Sequence, residues 1–375
     1  MPSDHIISRV SLGLDASYVP SSITDETIQE MRPQGSPSVH SSFSAQLKYS
    51  FQFSDPKIRN YYPGGYQGIG VGIYSFGFPG VESGKKGSRY IGNPFSFYVF
   101  QGAPFYSFGN SFSLNYEWQF GASFGWKPYS DYNRWFNLNV GSKVNAYLNI
   151  GFYLNWNVSQ RVELTGGLSL SHFSNGNTSW PNPGVNSVGV RVGMIYYLNR
   201  NIGDFPEVTD TLKKKKLDYD ISLWVSARKR VYKGGEKPVL LNGRFGCAGI
   251  GFAPMVKFGR WVKTGGSLDL QWDESSDLKK NYIEGTATED IKFYRPSVWH
   301  QLSLGISAHA ELQMPVFALN VGIGYNIVAH DEKRCTYQNL NLKTYLWKKL
   351  YLNVGYQLRN FSQQSNLMLG FGMTL

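Results

Sequence analysis

The sequence predicts an all-β protein, a transmembrane antiparallel β-barrel of about sixteen strands, and three observations predict it. Aromatic residues make up 16% of the 375 residues and glycine adds 41, while charged residues reach only 17%, against roughly 25% in a soluble domain. No apolar run approaches the roughly 18 residues that a membrane helix needs, so hydrophobicity has to be distributed by alternation. The third observation is that alternation itself, with period two over long runs. A soluble β-sandwich also alternates, but its strands average about 5 to 6 residues, too short to cross a bilayer at a tilt.

The first strand, near residues 5–19, places Ile6, Val10, Leu12, Leu14, Ala16 and Tyr18 in one phase and Arg9, Ser11, Gly13, Asp15 and Ser17 in the other. Strands follow near 41–54, 66–77, 93–107, 112–127 and 141–158, and then near 161–175 and 186–199. A second set runs near 219–232, 240–258, 261–274 and 297–314; in the last, Leu302, Leu304, Ile306 and Ala308 oppose Gln301, Ser303, Ser307 and His309. Strands near 316–330 and 336–348 lead to 350–359, where Leu352, Val354, Tyr356 and Leu358 oppose Asn353, Gly355, Gln357 and Arg359. The chain closes near 366–375, with Leu367, Leu369, Phe371, Met373 and Leu375 opposing Asn366, Gly370, Gly372 and Thr374. Helical periodicity fits none of these, and about 12 to 14 strands is the alternative count.

Connections alternate in length. "NVSQRV", "KFGRWV", "LQMPVF" and "LWKKLY" are tight, whereas 20–40, 78–92 and 275–296 are long, the pattern of short periplasmic turns and long external loops. One barrel over residues 1–375 is expected, with "NIGDFPEVTDTLKKKKLD", residues 201–218, as the place for any division, on the periplasmic side. A ring of sixteen strands would leave an aqueous channel, which makes a non-enzymatic pore or scaffold the competing function.

The net charge of +11 comes from scattered basic residues, apart from Lys213 to Lys216. For a membrane protein this favours anionic lipid as partner and not nucleic acid. By parity the lysine run lies on the inner side, where a solvated loop is favoured over a phosphate grip. Cys247 and Cys335 supply neither a disulfide framework nor zinc spacing, and one disulfide between them stays open. His5, His40, His300, His309 and His330 are far apart in sequence, so no metal and no cofactor is expected. His309 and Glu311 share one lumenal face, where a solvated wall is favoured over a functional pair. The glycines of "GRFGCAGIGFAP" precede no helix and read as barrel wall. The start, "MPSDHIISRV", has no basic-then-apolar signal region, so an exporting peptide is expected to have been removed and Met1 added.

The stretch "LTGGLSLSHFSNGNTSWPNPGVNSVGVRVGMIYYL" breaks the alternation. Val162, Leu164, Leu168 and Leu170 form the outward phase, and Glu163, Thr165, Gly167, Ser169 and Ser171 point into the lumen. The outward phase then continues with His172 and Ser174. On the next strand Val188, Val190, Val192, Met194 and Leu198 point outward, and carried backward that phase reaches Asn186. A hairpin brings the three polar residues together on the outer wall. Each costs on the order of 1 to 3 kcal/mol in apolar surroundings unless hydrogen-bonded. A serine bonded to an imidazole meets that need, and the same bond lets histidine take the hydroxyl proton during attack on an ester. The competing reading is that "HFSNGN" ends a strand with ordinary turn residues.

These residues carry a family resemblance. "HFSNGNTSWPNPGVN", with its His-x-Ser-Asn, its Pro-Asn-x-Gly and a polar residue opening the next strand, resembles the signature of the PagL-like lipid A deacylase (acyloxyacyl hydrolase) family. The likeness extends upstream through "NPFSFYVFQGAP" and "NVGSKVNAYLNIGFYLNWNVSQRVELTGG", covering about residues 60–200. It implies an outer-membrane esterase that removes an acyl chain from lipid A or a related lipid, at a site on the lipid-facing wall toward the outer leaflet. It also implies Ser174 as nucleophile and His172 as general base and acid. Asn175 and Gly176 become oxyanion donors, and Asn182 a further donor or a brace. Two departures stand out. The best-known members carry a glutamate where this chain has Asn186, which can orient His172 but brings no charge; Glu163 is lumenal and roughly 30 Å down the strand. The simplest members are barrels of about eight strands, and this chain continues from about Tyr219 to Leu375, so an eight-strand barrel plus a second β unit is the alternative architecture.

Overall fold

The computed structural model describes residues 6–20, 39–53, 62–77, 90–109, 111–130, 133, 137–200, 217–232, 239–258, 262–278, 280–283, 292–314, 316–330, 333–347, 349–361 and 363–375. Among them are sixteen long strands. The first eight are β1 (Ile6–Tyr18), β2 (Ser41–Phe53), β3 (Tyr66–Gly77), β4 (Gly92–Phe108), β5 (Phe112–Trp126), β6 (Val144–Asn157), β7 (Val162–Ser174) and β8 (Val185–Tyr197). The second eight are β9 (Leu217–Arg228), β10 (Phe245–Phe258), β11 (Val262–Asp273), β12 (Leu302–Gln313), β13 (Phe317–Val328), β14 (Thr336–Tyr345), β15 (Leu350–Arg359) and β16 (Gln363–Thr374). Each expected strand is found within a few residues of its place. Lys213 to Lys216 lie outside the described residues.

The expected single ring over residues 1–375 is corrected: β1–β8 close one antiparallel barrel and β9–β16 close another. The chain separates into two compact units, parting between Thr211 and Leu212, inside the segment 201–218; Gly176–Trp180 groups with the second unit. The reason for early closure is that β8 finds its complement in β1. In their register Leu12, Leu14 and Ala16 face Met194, Val192 and Val190, all in the outward phase, while Asp15 faces Arg191 inside. Arg191 Nε donates to Asp15 Oδ1 at 2.5 Å, so the closing pair carries a buried ion pair. An eight-strand ring is just wide enough for side chains to fill, so the aqueous channel of a sixteen-strand ring does not arise.

The first lumen is filled in two layers. A charged layer links Lys48 to Glu117 at 2.8 Å and Arg191 to Glu117 at 3.8 Å, all buried. Gln119 and Tyr66 donate to the same carboxylate. Above it, toward the end where β7 terminates, Tyr74, Phe76, Tyr98, Trp126, Tyr147 and Phe173 form an aromatic plug with Ile91, Val140 and Val185. At the opposite end Phe112 stacks on Trp156 at 5.9 Å, and exposed Phe105, Tyr106 and Phe108 continue the aromatic rim that marks a membrane interface. Between the ends the outer wall is apolar, with Leu47, Ile69, Val71, Ile150, Leu168 and Val190 exposed.

Lys48→Met is expected to cost about 2 to 3 kcal/mol, because Glu117 keeps its amide and hydroxyl donors but loses the ammonium that contacts both of its oxygens. Urea unfolding of the detergent-solubilised protein measures this, and an unchanged midpoint would show that Arg191 alone suffices for Glu117.

The second lumen places the Lys343 ammonium between Asp220 and Glu311, and Lys263 2.7 Å from Asp218. Near one end Asp273 is paired with Arg228 and Arg359. Cys247 and Cys335 are both free and buried, so the open disulfide is not formed. "GRFGCAGIGFAP" runs into β10 and is barrel wall, as expected.

Candidate active site

The β7–β8 hairpin pairs His172 with Asn186 and Phe173 with Val185. Strand alternation then decides where each side chain goes. Phe173 turns inward and locks into the aromatic plug, 5.0 Å from both Tyr74 and Tyr147 and 5.1 Å from Trp126, centroid to centroid. His172 and Ser174 therefore share the opposite phase, the one that carries exposed Leu164, Leu168 and Leu170.

Both imidazole nitrogens are engaged. Nε2 lies 2.8 Å from Ser174 Oγ and Nδ1 lies 2.6 Å from Asn186 Oδ1. With an amide oxygen at Nδ1, that nitrogen carries the proton, and the Nε2 lone pair is left to accept from the Ser174 hydroxyl. Ser174 is 3% exposed although its phase points outward. Asn175 is buried beside it, and its backbone N–H donates to Asn182 Oδ1 at 2.7 Å. Of the two roles expected for Asn182, this geometry supports the brace, since its oxygen accepts and fixes the turn. Gly176 and Asn177 have φ of 62° and 63°, the left-handed conformation that reverses the chain directly after Asn175.

Two contributors escaped the sequence reading. Gly184, with φ of 77°, sits so close to the relay that a Cβ there would fall 2.5 Å from the Phe173 carbonyl oxygen, 3.1 Å from His172 Cε1 and 3.3 Å from Ser174 Cβ. The quoted Pro-Asn-x-Gly contained the signal, because a glycine just before a strand marks a close approach. The other is the β5–β6 connection, whose Asn139 carbonyl accepts the Gly184 N–H at 3.1 Å. Gly184→Ala is expected to destabilise the protein by about 1 to 3 kcal/mol through backbone strain alone. Thermal unfolding checks this, and a wild-type midpoint would mean that the turn relaxes away from Phe173.

No carboxylate reaches the relay from Glu163, which accepts from Tyr197 Oη at 2.8 Å inside the lumen. Among the described residues no group of three or more His, Cys, Asp or Glu is arranged to hold a metal.

The second barrel contains a parallel constellation. The less favoured reading of His309 with Glu311 as a functional pair does not hold, because Glu311 is taken by Lys343. Instead His309 Nε2 lies 2.8 Å from Ser307 Oγ and Nδ1 lies 2.8 Å from Asn320 Oδ1. The likeness to the first relay ends at its surroundings. Ser307 Oγ also donates to Asp269 Oδ2 at 2.6 Å, and His309 faces a cavity of about 50 Å³ whose lining includes Asp220 and Asp269. That space holds a few waters, and carboxylates beside the serine oppose the oxyanion of acyl transfer. This cluster is a lumenal hydrogen-bond network.

Comparison with known proteins places each barrel. A family model described as lipid A 3-O-deacylase (PagL) matches residues 43–195, and one described as acyloxyacyl hydrolase, C-terminal domain, matches residues 217–375. The curated proteins gave no match. Among solved structures, the outer membrane enzyme PagL is 16% identical, over 49% of this chain and 97% of that one, with a TM-score of 0.29. CdiB from Acinetobacter baumannii is 8% identical, over 98% of this chain and 60% of that one, with a TM-score of 0.18. The alcaligin outer membrane receptor FauA from Bordetella pertussis is 10% identical, over 89% of this chain and 61% of that one, with a TM-score of 0.22. The two family models fall one on each barrel. Between them they span most of the sequence, and the chain belongs to the PagL family of outer-membrane lipid A deacylases.

Proposed function

We propose that the protein is an outer-membrane esterase that hydrolyses an acyl ester of lipid A, or of a closely related lipid, at Ser174 on the lipid-facing wall of the first barrel near the outer leaflet. The observation that carries this reading is the double engagement of His172, with Ser174 Oγ on Nε2 and Asn186 Oδ1 on Nδ1. Ser174 Oγ attacks the ester carbonyl while His172 Nε2 takes its proton. The tetrahedral oxyanion is met by the Asn175 side-chain amide and the Gly176 N–H, with Asn182 holding the Asn175 backbone in place. Collapse breaks the ester C–O bond, and His172 returns the proton to the leaving alkoxide. Water, deprotonated by His172, then releases the fatty acid and regenerates Ser174. Asn186 keeps the Nδ1 proton in place throughout but adds no negative charge to balance the imidazolium.

The outward phase supports a lipid substrate, because His172 and Ser174 share the strand face that carries exposed Leu170 and Leu168, about 13 and 20 Å farther down β7. Purified protein incubated with defined lipid A species is expected to yield lipid A lighter by one acyl chain, together with the free fatty acid, by mass spectrometry. Unchanged spectra across several lipid A types and phospholipids would overturn the assignment and favour a non-enzymatic barrel.

A further inference from the structure

The β5–β6 connection lies at the same end of the first barrel as the Ser174 turn, because β5 and β7 run in the same direction. Two buried asparagines tie it down: Asn133 bonds to Ser130 and to the Tyr90 and Pro128 carbonyls, and Asn137 holds the part nearest the relay. Asn137 is 0% exposed, and its amide makes four hydrogen bonds. Nδ2 donates to the carbonyls of Lys127 at 2.7 Å and Val140 at 3.4 Å, and Oδ1 accepts from the N–H groups of Asn139 at 3.2 Å and Val140 at 3.1 Å. Those four bonds use the full capacity of the group. Val140, buried in the aromatic plug, also accepts from the Tyr129 N–H at 2.8 Å.

A backbone hydrogen bond ties the connection to the turn beside the relay. The Asn139 carbonyl, placed by the Asn137 amide, accepts the Gly184 N–H, and Gly184 leaves so little room beside the relay that an added Cβ would fall 3.1 Å from His172 Cε1 and 3.3 Å from Ser174 Cβ. We propose that Asn137 is a positioning residue for the Ser174–His172 relay, acting through the Asn139 carbonyl and Gly184. The inference rests on the hydrolase reading of that relay. Its physical basis is that acyl transfer tolerates little misplacement of nucleophile and base. The turn from Asn175 to Gly184 holds three residues with positive φ, Gly176, Asn177 and Gly184, and therefore needs external ties to keep one geometry. Asn137 touches no substrate; it sets where the imidazole sits.

Two variants test this. Asn137→Ala removes all four bonds, and Asn137→Asp keeps the shape and the acceptors but loses both donors. Both are expected to lower kcat on lipid A about 10- to 100-fold with KM unchanged, and to slow phosphonylation of Ser174 by a small fluorophosphonate in the same proportion. In ¹⁵N-histidine-labelled protein, the hydrogen-bonded Nδ1–H resonance of His172, identified by its loss in His172→Ala, is expected to broaden or vanish in both variants. Should Asn137→Ala fail to fold, Asn137→Asp is read alone. Folded variants with wild-type kcat, labelling and resonance would overturn the positioning role. A wild-type protein that shows no deacylation while the resonance still responds to Asn137 would overturn the hydrolase reading and leave the positioning role standing.

Discussion

Ser174→Ala is expected to abolish deacylation, lowering kcat by about four to six orders of magnitude, while the barrel folds as before. The size follows from the way nucleophile and base act as a unit: removing the hydroxyl leaves His172 with nothing to deprotonate, and water in its place is neither held nor aligned. The stability effect should be small, because the loss is one hydroxyl at a strand end; His172 keeps Asn186, and Phe173 keeps its place in the plug. Mass spectrometry of lipid A after incubation reads the activity, and far-ultraviolet circular dichroism reads the strand content. A folded Ser174→Ala protein that still releases fatty acid at the wild-type rate would move the chemistry elsewhere in the molecule.

Asn186→Asp is expected to act in the opposite direction, raising kcat roughly 10²- to 10³-fold. The substitution is nearly isosteric, and Asn186 Oδ1 already lies 2.6 Å from His172 Nδ1. What changes is a negative charge at the point where imidazolium forms. In serine hydrolases the reverse exchange of aspartate for asparagine costs about 10⁴, part of it through the wrong histidine tautomer. Here the amide oxygen already selects the right tautomer, so the gain should fall short of that ceiling. Single-turnover kinetics with a labelled lipid A measure it. A variant no faster than wild type would mean that imidazolium formation does not limit the rate.

Local order was the legible part of this fold. Period-two alternation located all sixteen long strands, because a side-chain phase is a property of neighbours two residues apart. The largest boundary errors came where local chemistry interrupts the phase: residues 298–301 form a helical turn after Pro296 and Ser297, so β12 begins at Leu302 and not at 297. Ring closure was not legible in the alternation, which is identical in one ring of sixteen and two of eight; the resemblance to eight-strand members supplied the alternative that is found, an eight-strand barrel plus a second β unit. Closure is decided by whether β8 prefers β1 or β9, and Asp15 and Arg191 encode that preference across 176 residues. The site followed the same division. His172, Ser174 and Asn186 were readable because phase and resemblance both point to side chains. Gly184 was legible only as the glycine of the Pro-Asn-x-Gly motif, and Asn137 was not legible, because an asparagine in a connection gives no sign of which carbonyls it will hold. For His309, sharing a face with Glu311 was read correctly, but the ring turns toward Ser307 and Asn320 instead.

The closing pair of the first barrel has a kinetic consequence. Seven of its eight seams join consecutive strands, and each forms as a local hairpin. The eighth joins β1 to β8 and must bring Asp15 and Arg191 together from 176 residues apart, at a chain-entropy cost of about 4 to 5 kcal/mol before any contact compensates. Closure is therefore the late event in assembly, and the relay, whose Asn186 stands on that last strand, is completed near the end of it. A chain stalled before closure has seven hairpin seams and two open edges, on β1 and β8. Its charged lumen, which the finished ring hides, stands open to solvent until Arg191 arrives.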